Sequence, residues 1–175
     1  MKKREIMKKV CLLGDSQVGK TSLIRRYVHD QFDDMYIMTF GAKVSSKNVK
    51  LYTDEEEITV TLAIWDIIGE HGRRYLQASH YKGASGALVV CDCTRSQTFD
   101  HLSDWVHAFH QTSPDGKLVF LMNKIDLQDT RRVTLEDLGD IGEVYKSSFF
   151  ASSAKTDENV ELAFKTLSED MVLKK

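Results

Sequence analysis

A single proline, Pro114, serves the whole chain, so no proline-rich linker or recognition tract divides it. Cysteine is nearly as scarce: Cys11, Cys91 and Cys93 are the only three, and all are expected to lie in buried strands. That excludes a disulfide framework and points to a reducing compartment, the cytoplasm. Cys91 and Cys93, two apart, lack the second pair that a zinc site needs. No signal peptide is visible in the sequence, and no apolar stretch is long enough to span a bilayer. A net charge of −2 supplies no broad cationic field, which argues against nucleic acid as the main partner. Repeats and low-complexity segments are also missing.

What remains is the composition of a soluble globular protein: 42% apolar and 29% charged residues over 175 positions. That length suits one domain spanning 1–175, with no second domain. Lys2, Lys3, Arg4, Lys8 and Lys9 make the start locally basic. They are expected to be a solvated flank of the first strand, with at most a weak pull toward anionic lipid.

Short apolar runs alternate with segments of helical period, which predicts a mostly parallel α/β sheet covered by helices. Residues 86–92 and 118–123 are continuous apolar runs, as strands buried on both faces should be. Val160, Ala163, Phe164 and Leu167 recur at i, i+3, i+4 and i+7 and mark the core face of a helix. Phe99, Leu102, Trp105, Val106 and Phe109 do the same, and these aromatics are read as core. Alternation through Val60, Leu62 and Ile64, with an earlier run from Val44 to Leu51, predicts a hairpin. Its turn would carry the acidic residues Asp54, Glu55, Glu56 and Glu57.

The chemistry sits where these strands end. Val10-Cys11-Leu12-Leu13 leads into Gly14-Asp15-Ser16-Gln17-Val18-Gly19-Lys20-Thr21, followed by Ser22 and a helical pattern. A glycine-bracketed loop that ends at a helix N-terminus points backbone N–H groups inward and adds roughly half a positive charge. Lys20 can then reach β- and γ-phosphates, and the Thr21 hydroxyl can ligate Mg²⁺. Trp65-Asp66-Ile67-Ile68-Gly69 closes another strand. Asp66 there can orient a Mg²⁺-bound water opposite Thr21, and the Gly69 amide can face a γ-phosphate. Asn123-Lys124-Ile125-Asp126 follows a third strand. A carboxylate at Asp126 can accept from guanine N1–H and the exocyclic amine, a pairing adenine cannot offer. The Lys124 stem can cover the base. Ser153-Ala154-Lys155 can present a backbone N–H to guanine O6. Each string is common alone, but in this order and at strand C-terminal ends they fit a nucleotide site of an open α/β sheet.

Taken together, the chain resembles a small GTPase of the Ras superfamily, closest to its Rab branch, from about residue 6 to 170. The Rab character lies in Gly14-Asp15-Ser16, Trp65-Asp66 and residues 81–87. The resemblance implies a P-loop NTPase three-layer sandwich, a six-stranded mostly parallel sheet with one antiparallel strand flanked by five helices. It implies GTP/GDP as ligand, Mg²⁺ as cofactor and a monomer. It places Phe32 on the guanine, Tyr36 over the phosphates and Thr39 on Mg²⁺ in the triphosphate state. It makes the segments near 32–42 and 66–80 the two switches, contacted by an exchange factor, a GTPase-activating protein and effectors. Contacts from Thr39 and Gly69 to the γ-phosphate would hold both switches, and hydrolysis would release them. Lys20, Thr39, Gly69 and residue 70 would carry the slow hydrolysis.

The chain also departs from that pattern. Glu70 stands where the family places a Gln that orients the attacking water. Impaired orientation is the favoured reading; Glu70 as general base and His71 turned inward are the competitors. Ser16 and Gln17 occupy variable loop positions. Met38 replaces a common proline before Thr39, and Ala151 replaces an acidic residue before Ser153. The family's long tail and lipidated cysteines are missing, which is read as either a chain cut short or a lineage, a prokaryotic one included, that works without prenylation. A non-cycling pseudo-GTPase that binds partners remains the second reading. A P-loop small-molecule kinase lacks support, since no arginine-rich lid is evident and Arg131-Arg132 reads as solvated.

Overall fold

The computed structural model describes residues 1–28, 42–67 and 78–174. Six strands form one sheet: β1 (Lys2–Leu13), β2 (Ala42–Tyr52), β3 (Glu56–Ile67), β4 (Gly86–Asp92), β5 (Lys117–Asn123) and β6 (Ser148–Ala151), in the order β2-β3-β1-β4-β5-β6. Among the described residues, only β2 runs antiparallel to its neighbour. Because β1 pairs with β3 on one side and β4 on the other, its C-terminal end lies at the point where the strand order reverses. Open α/β sheets bind ligands in that crevice.

The helices are α1 (Lys20–Val28), α2 (Ala78–Tyr81), α3 (Ser96–Asp100), α4 (Leu102–Thr112), α5 (Leu135–Tyr145) and α6 (Val160–Leu173). Short α3 and α4 meet at His101 and make one bent helical body, so five such bodies flank the sheet among the described residues. Strand residues alternate between two cores. Val10, Leu12, Leu88, Val90, Val119 and Leu121 face α1 and α6. Cys11, Leu13, Val89, Cys91, Phe120 and Met122 face α4 and α5. The result is three layers. All of β4 is buried, as its unbroken apolar run requires.

On the first face the rings of Tyr27 and Phe164 stack with centroids 3.9 Å apart, joining α1 to α6. Phe164→Leu keeps the volume roughly but removes the stacked partner. It should cost about 1–2 kcal/mol in chemical denaturation, with no change in denaturant slope.

Two sequence expectations are corrected. The basic residues at the start are not a flank: they form the first two-thirds of β1 and pair with β3 from Lys2↔Glu56 onward. Arg4 lies 3.7 Å from Glu56, and Lys9 sits 3.8 Å above the Trp65 ring, so pairing absorbs part of that charge. The hairpin turn is also shorter than its acidic run. Glu56 and Glu57 belong to β3, where Glu57 meets Lys50 at 3.3 Å. Only Asp54 and Glu55 stay in the turn, which Thr53 closes by accepting the Glu56 N–H at 3.1 Å. Cys11, Cys91 and Cys93 are buried free thiols, Cys93 one residue past β4. Burial pushes Cys11 up to about 12. Among the described residues, no helix is long and apolar enough to cross a membrane.

Candidate nucleotide site

At the C-terminal end of β1 the chain turns sharply, and glycine makes that turn possible. Gly14 has φ +142°, and a Cβ there would meet the Val90 carbonyl oxygen at 2.3 Å. Gly19, at φ +103°, would drive a Cβ to 2.3 Å from Asn123 Nδ2. L side chains rarely adopt such conformations. Gln17, between them, also adopts a left-handed conformation, φ 64°. The loop then enters α1 at Lys20, with the Leu23 N–H bonded to the Gly19 carbonyl.

Lys20 is buried, and its ammonium donates to the Gly14 and Asp15 carbonyls, 2.9 Å each. Burial pulls its pKa down to about 8. Asp66 and Asp15 oppose that shift, and Arg95 adds to it. A phosphate group beside it would strengthen the charged form. The Thr21 hydroxyl donates to Asp66 Oδ2 at 2.5 Å, so residues 45 apart in sequence meet where the metal was expected. Two hard oxygen donors suit Mg²⁺, which keeps several waters and takes its remaining ligands from substrate phosphates. Among the described residues, no group of three or more His, Cys, Asp or Glu side chains is placed to hold a metal.

The loops after β5 and β6 lock onto the glycine-bracketed loop after β1. Asn123, buried at the end of β5, donates through Nδ2 to the Val18 carbonyl at 3.0 Å. Its Oδ1 accepts from Ser152 Oγ and from the Ala154 N–H, both at 3.3 Å. That N–H belongs to the segment Ser153-Ala154-Lys155, expected to present a backbone N–H to guanine O6, and its bond to Asn123 is long. Ser153 Oγ donates to Asp126 Oδ1 at 2.6 Å and fixes the carboxylate, which retains further acceptor capacity. Lys124, φ 66°, donates to the Gln17 carbonyl at 2.7 Å. Arg26 of α1 holds the Ala154 and Lys155 carbonyls at 2.8 and 2.9 Å.

Of the expected site residues, Gly14, Val18, Gly19, Lys20, Thr21, Asp66, Asn123, Lys124, Asp126, Ser153 and Ala154 thus converge on one end of the sheet. Ser16 and Gln17 form the exposed loop tip, and Ser22 is an exposed residue in the first turn of α1. Asp15 turns its carboxylate away, toward Trp105 Nε1 at 2.8 Å and His101 Nδ1 at 2.6 Å, so its backbone is what faces the crevice. Trp105, read as core, is therefore also a support of the loop. Phe32, Tyr36, Thr39, Gly69, Glu70, His71 and Met38 lie outside the described residues. Arg131 and Arg132 are exposed, though Arg131 donates to the Ile125 carbonyl at 2.7 Å.

Sequence reasoning missed Asp92 and Arg95. Asp92 closes β4 with 2% exposure; its Oδ1 accepts from the Thr94 N–H and hydroxyl, and its Oδ2 from Lys124 and Arg95. Burial pushes its pKa up, but the Lys124, Thr94 and Arg95 bonds outweigh that and hold it below the usual carboxylate range. The available signal was positional: like Asp66 and Asn123, it is a polar residue closing an apolar strand at the ligand edge.

Comparison with known proteins gives the same picture. The Ras family model matches residues 9–173. The chain is 33% identical over 171 residues to the Ras-related protein Rab-1 of Theileria annulata, an alignment covering 97% of this chain and 76% of that protein. It is 34% identical over 172 residues to the Ras-related protein Rab-10 of Diplobatis ommata, covering 97% and 84%. It is 35% identical over 167 residues to the Ras-related protein Rab-8B of Pongo abelii, covering 95% and 79%. With a glycine-bracketed loop after β1 and this family match over nearly its full length, the chain belongs to the Ras family of small GTPases, close to the Rab branch.

Proposed function

We propose that the protein is a GTP/GDP-binding switch that hydrolyses GTP slowly with Mg²⁺ and engages effectors in its GTP state. The observation that carries this reading is the interlock of phosphate and base loops. The Asn123 amide bonds the Val18 carbonyl, and Lys124 bonds the Gln17 carbonyl. A polyphosphate on the first loop and a guanine on the second would therefore occupy one crevice.

In this reading Lys20 and the amides of residues 15–20 neutralise charge on the β- and γ-phosphoryl oxygens, which suits a transition state whose charge spreads over those oxygens. Thr21 and Thr39 are the residues that would ligate Mg²⁺, with Asp66 orienting its bound water; the ion would supply positive charge that neutralises the phosphates. The Gly69 N–H contacts the γ-phosphate. Asp126 accepts from guanine N1–H and the exocyclic amine, while the Lys124 stem covers the ring. Phe32 and Tyr36 shield base and phosphates from the first switch. Exchange factor, activating protein and effectors meet the stretches 32–42 and 66–80. Buried free thiols support work in a reducing compartment such as the cytoplasm.

Hydrolysis is slow because Glu70 cannot donate the amide hydrogen bond that orients water, and its charge opposes that of the γ-phosphate. Glu70→Gln should raise the single-turnover rate about tenfold or more. An unchanged rate would remove the impairment reading and leave His71 or Glu70 itself as base. The same Glu70 is the feature that favours the second reading, a GTP-locked binding module. Identifying the nucleotide that co-purifies, and following its conversion in Mg²⁺, separates them: GDP indicates a cycling enzyme, GTP a stalled one, and ATP would undo the base assignment.

A further inference from the structure

Every carbonyl from Gly14 to Val18 is gripped by a side chain. Lys20 takes Gly14 and Asp15, Arg95 takes Ser16 at 2.9 Å, Lys124 takes Gln17 and Asn123 takes Val18. Two of these grips share a single anchor. Arg95 Nε and Lys124 Nζ both contact Asp92 Oδ2, at 3.1 and 2.8 Å. One nearly inaccessible carboxylate therefore holds two cations, and each cation reaches on to one of two consecutive carbonyls at the exposed tip of the loop. Ser16 and Gln17 themselves are exposed and lack the burial that would fix them.

The anchor is stiff. Thr98, 2% exposed, accepts the Asp92 N–H at 2.9 Å and donates its hydroxyl to the Arg95 carbonyl at 2.7 Å. The Arg95 N–H bonds back to the Asp92 carbonyl at 3.0 Å. Arg95 thus projects from a closed turn, and its planar fork spans from carboxylate to carbonyl as a single ammonium does less well.

We propose that Asp92 and Arg95 are positioning residues for the nucleotide phosphates: they pull the Ser16 and Gln17 carbonyls outward, so that the amides of the loop tip point into the crevice. The inference rests on the guanine-nucleotide reading above. Fixing carbonyl directions fixes amide directions, because each peptide unit is planar. Donors aimed in advance cost no reorganisation when the phosphate arrives. Arg95 has the more specific role, since Asp92 also steadies Lys124 on the base side.

The test uses the full chain loaded with Mg²⁺ and GDP. Arg95→Ala removes a partly exposed side chain and should release GDP about tenfold faster, the scale of one lost charge-assisted hydrogen bond. The β-phosphorus resonance of bound GDP should move, because the surrounding amides re-aim. The affinity ratio of GDP to inosine diphosphate, which lacks the exocyclic amine that Asp126 reads, should stay within about twofold. Asp92→Asn should accelerate release further and also reduce that ratio, since it frees Lys124; if it does not fold, Arg95→Ala decides alone. GDP release within twofold of the unaltered protein, or an unmoved β-phosphorus resonance, would overturn the inference. A collapsed ratio of GDP to inosine diphosphate affinity in Arg95→Ala would overturn it too, by revealing general loosening that reaches the base site. Failure of the unaltered protein to bind GDP would sink the parent reading along with it, an outcome distinct from the others.

Discussion

Asp126→Asn should turn the protein from a guanine into a xanthine nucleotide binder, with GDP affinity falling by about four orders of magnitude. The Asp126 carboxylate is pinned through Oδ1 by Ser153 Oγ at 2.6 Å, so its direction is set before the base arrives. An ionised carboxylate only accepts, and guanine offers it two neighbouring donors, N1–H and the exocyclic amine. An amide presents one acceptor and one donor. Facing guanine, its NH₂ meets the base's own NH₂, and two donors are left buried without partners. Xanthine carries a carbonyl where guanine has the amine, so the amide pairs with N1–H and that oxygen together. Titration of the purified variant with GDP and with xanthosine diphosphate reads this directly. Equal loss for both nucleotides would mean that Asp126 supports the loop and does not read the base.

Gly19→Ala should abolish tight nucleotide binding and cost about 3 kcal/mol or more in unfolding free energy. Three costs combine. The left-handed backbone at φ +103° penalises any Cβ by about 1–2 kcal/mol. The added carbon would lie 2.3 Å from Asn123 Nδ2, so the buried amide must move, at a cost of about 1–3 kcal/mol. Moving it breaks the bond to the Val18 carbonyl and disturbs those from Ser152 and Ala154. The phosphate and base loops are thereby uncoupled in one substitution. Gly83→Ala is the control: its φ is +77°, but a Cβ there meets nothing within 4 Å. It should pay only the backbone cost of about 1 kcal/mol and leave GDP affinity unchanged. Thermal unfolding and GDP titration of both variants separate strain from crowding. If Gly19→Ala behaves like Gly83→Ala, the interlock is not what shapes the site.

The fold was legible because its signals are local and repeated. Unbroken apolar runs at 86–92 and 118–123 require strands covered on both faces, and β4 and β5 are such strands. The stripe Val160, Ala163, Phe164, Leu167 is the buried face of α6. The contact loops were legible for a different reason: each follows a strand directly, so strand prediction also predicts the edge of the sheet on which the loop sits. Pairing that depends on register was not legible. Nothing local says that Lys2 will lie opposite Glu56, so the basic start looked like a flank and the acidic run looked like a turn. Asp92 and Arg95 escaped notice because their meaning comes from long-range partners, Lys124 and the Ser16 carbonyl, 32 and 79 positions away. Trp105 combined two roles, and its place in an apolar helix stripe hid the hydrogen bond to Asp15.

The measurement that bears most directly on the whole account is calorimetric titration of the nucleotide-stripped chain, in Mg²⁺, with GDP and then with ADP. Lys20, Thr21 and Asp66 on one side and Asn123, Asp126 and Ser153 on the other predict tight binding of GDP, with ADP weaker by about 10⁴. Equal affinities for the two would contradict the base site, and no binding of either would contradict the account entirely.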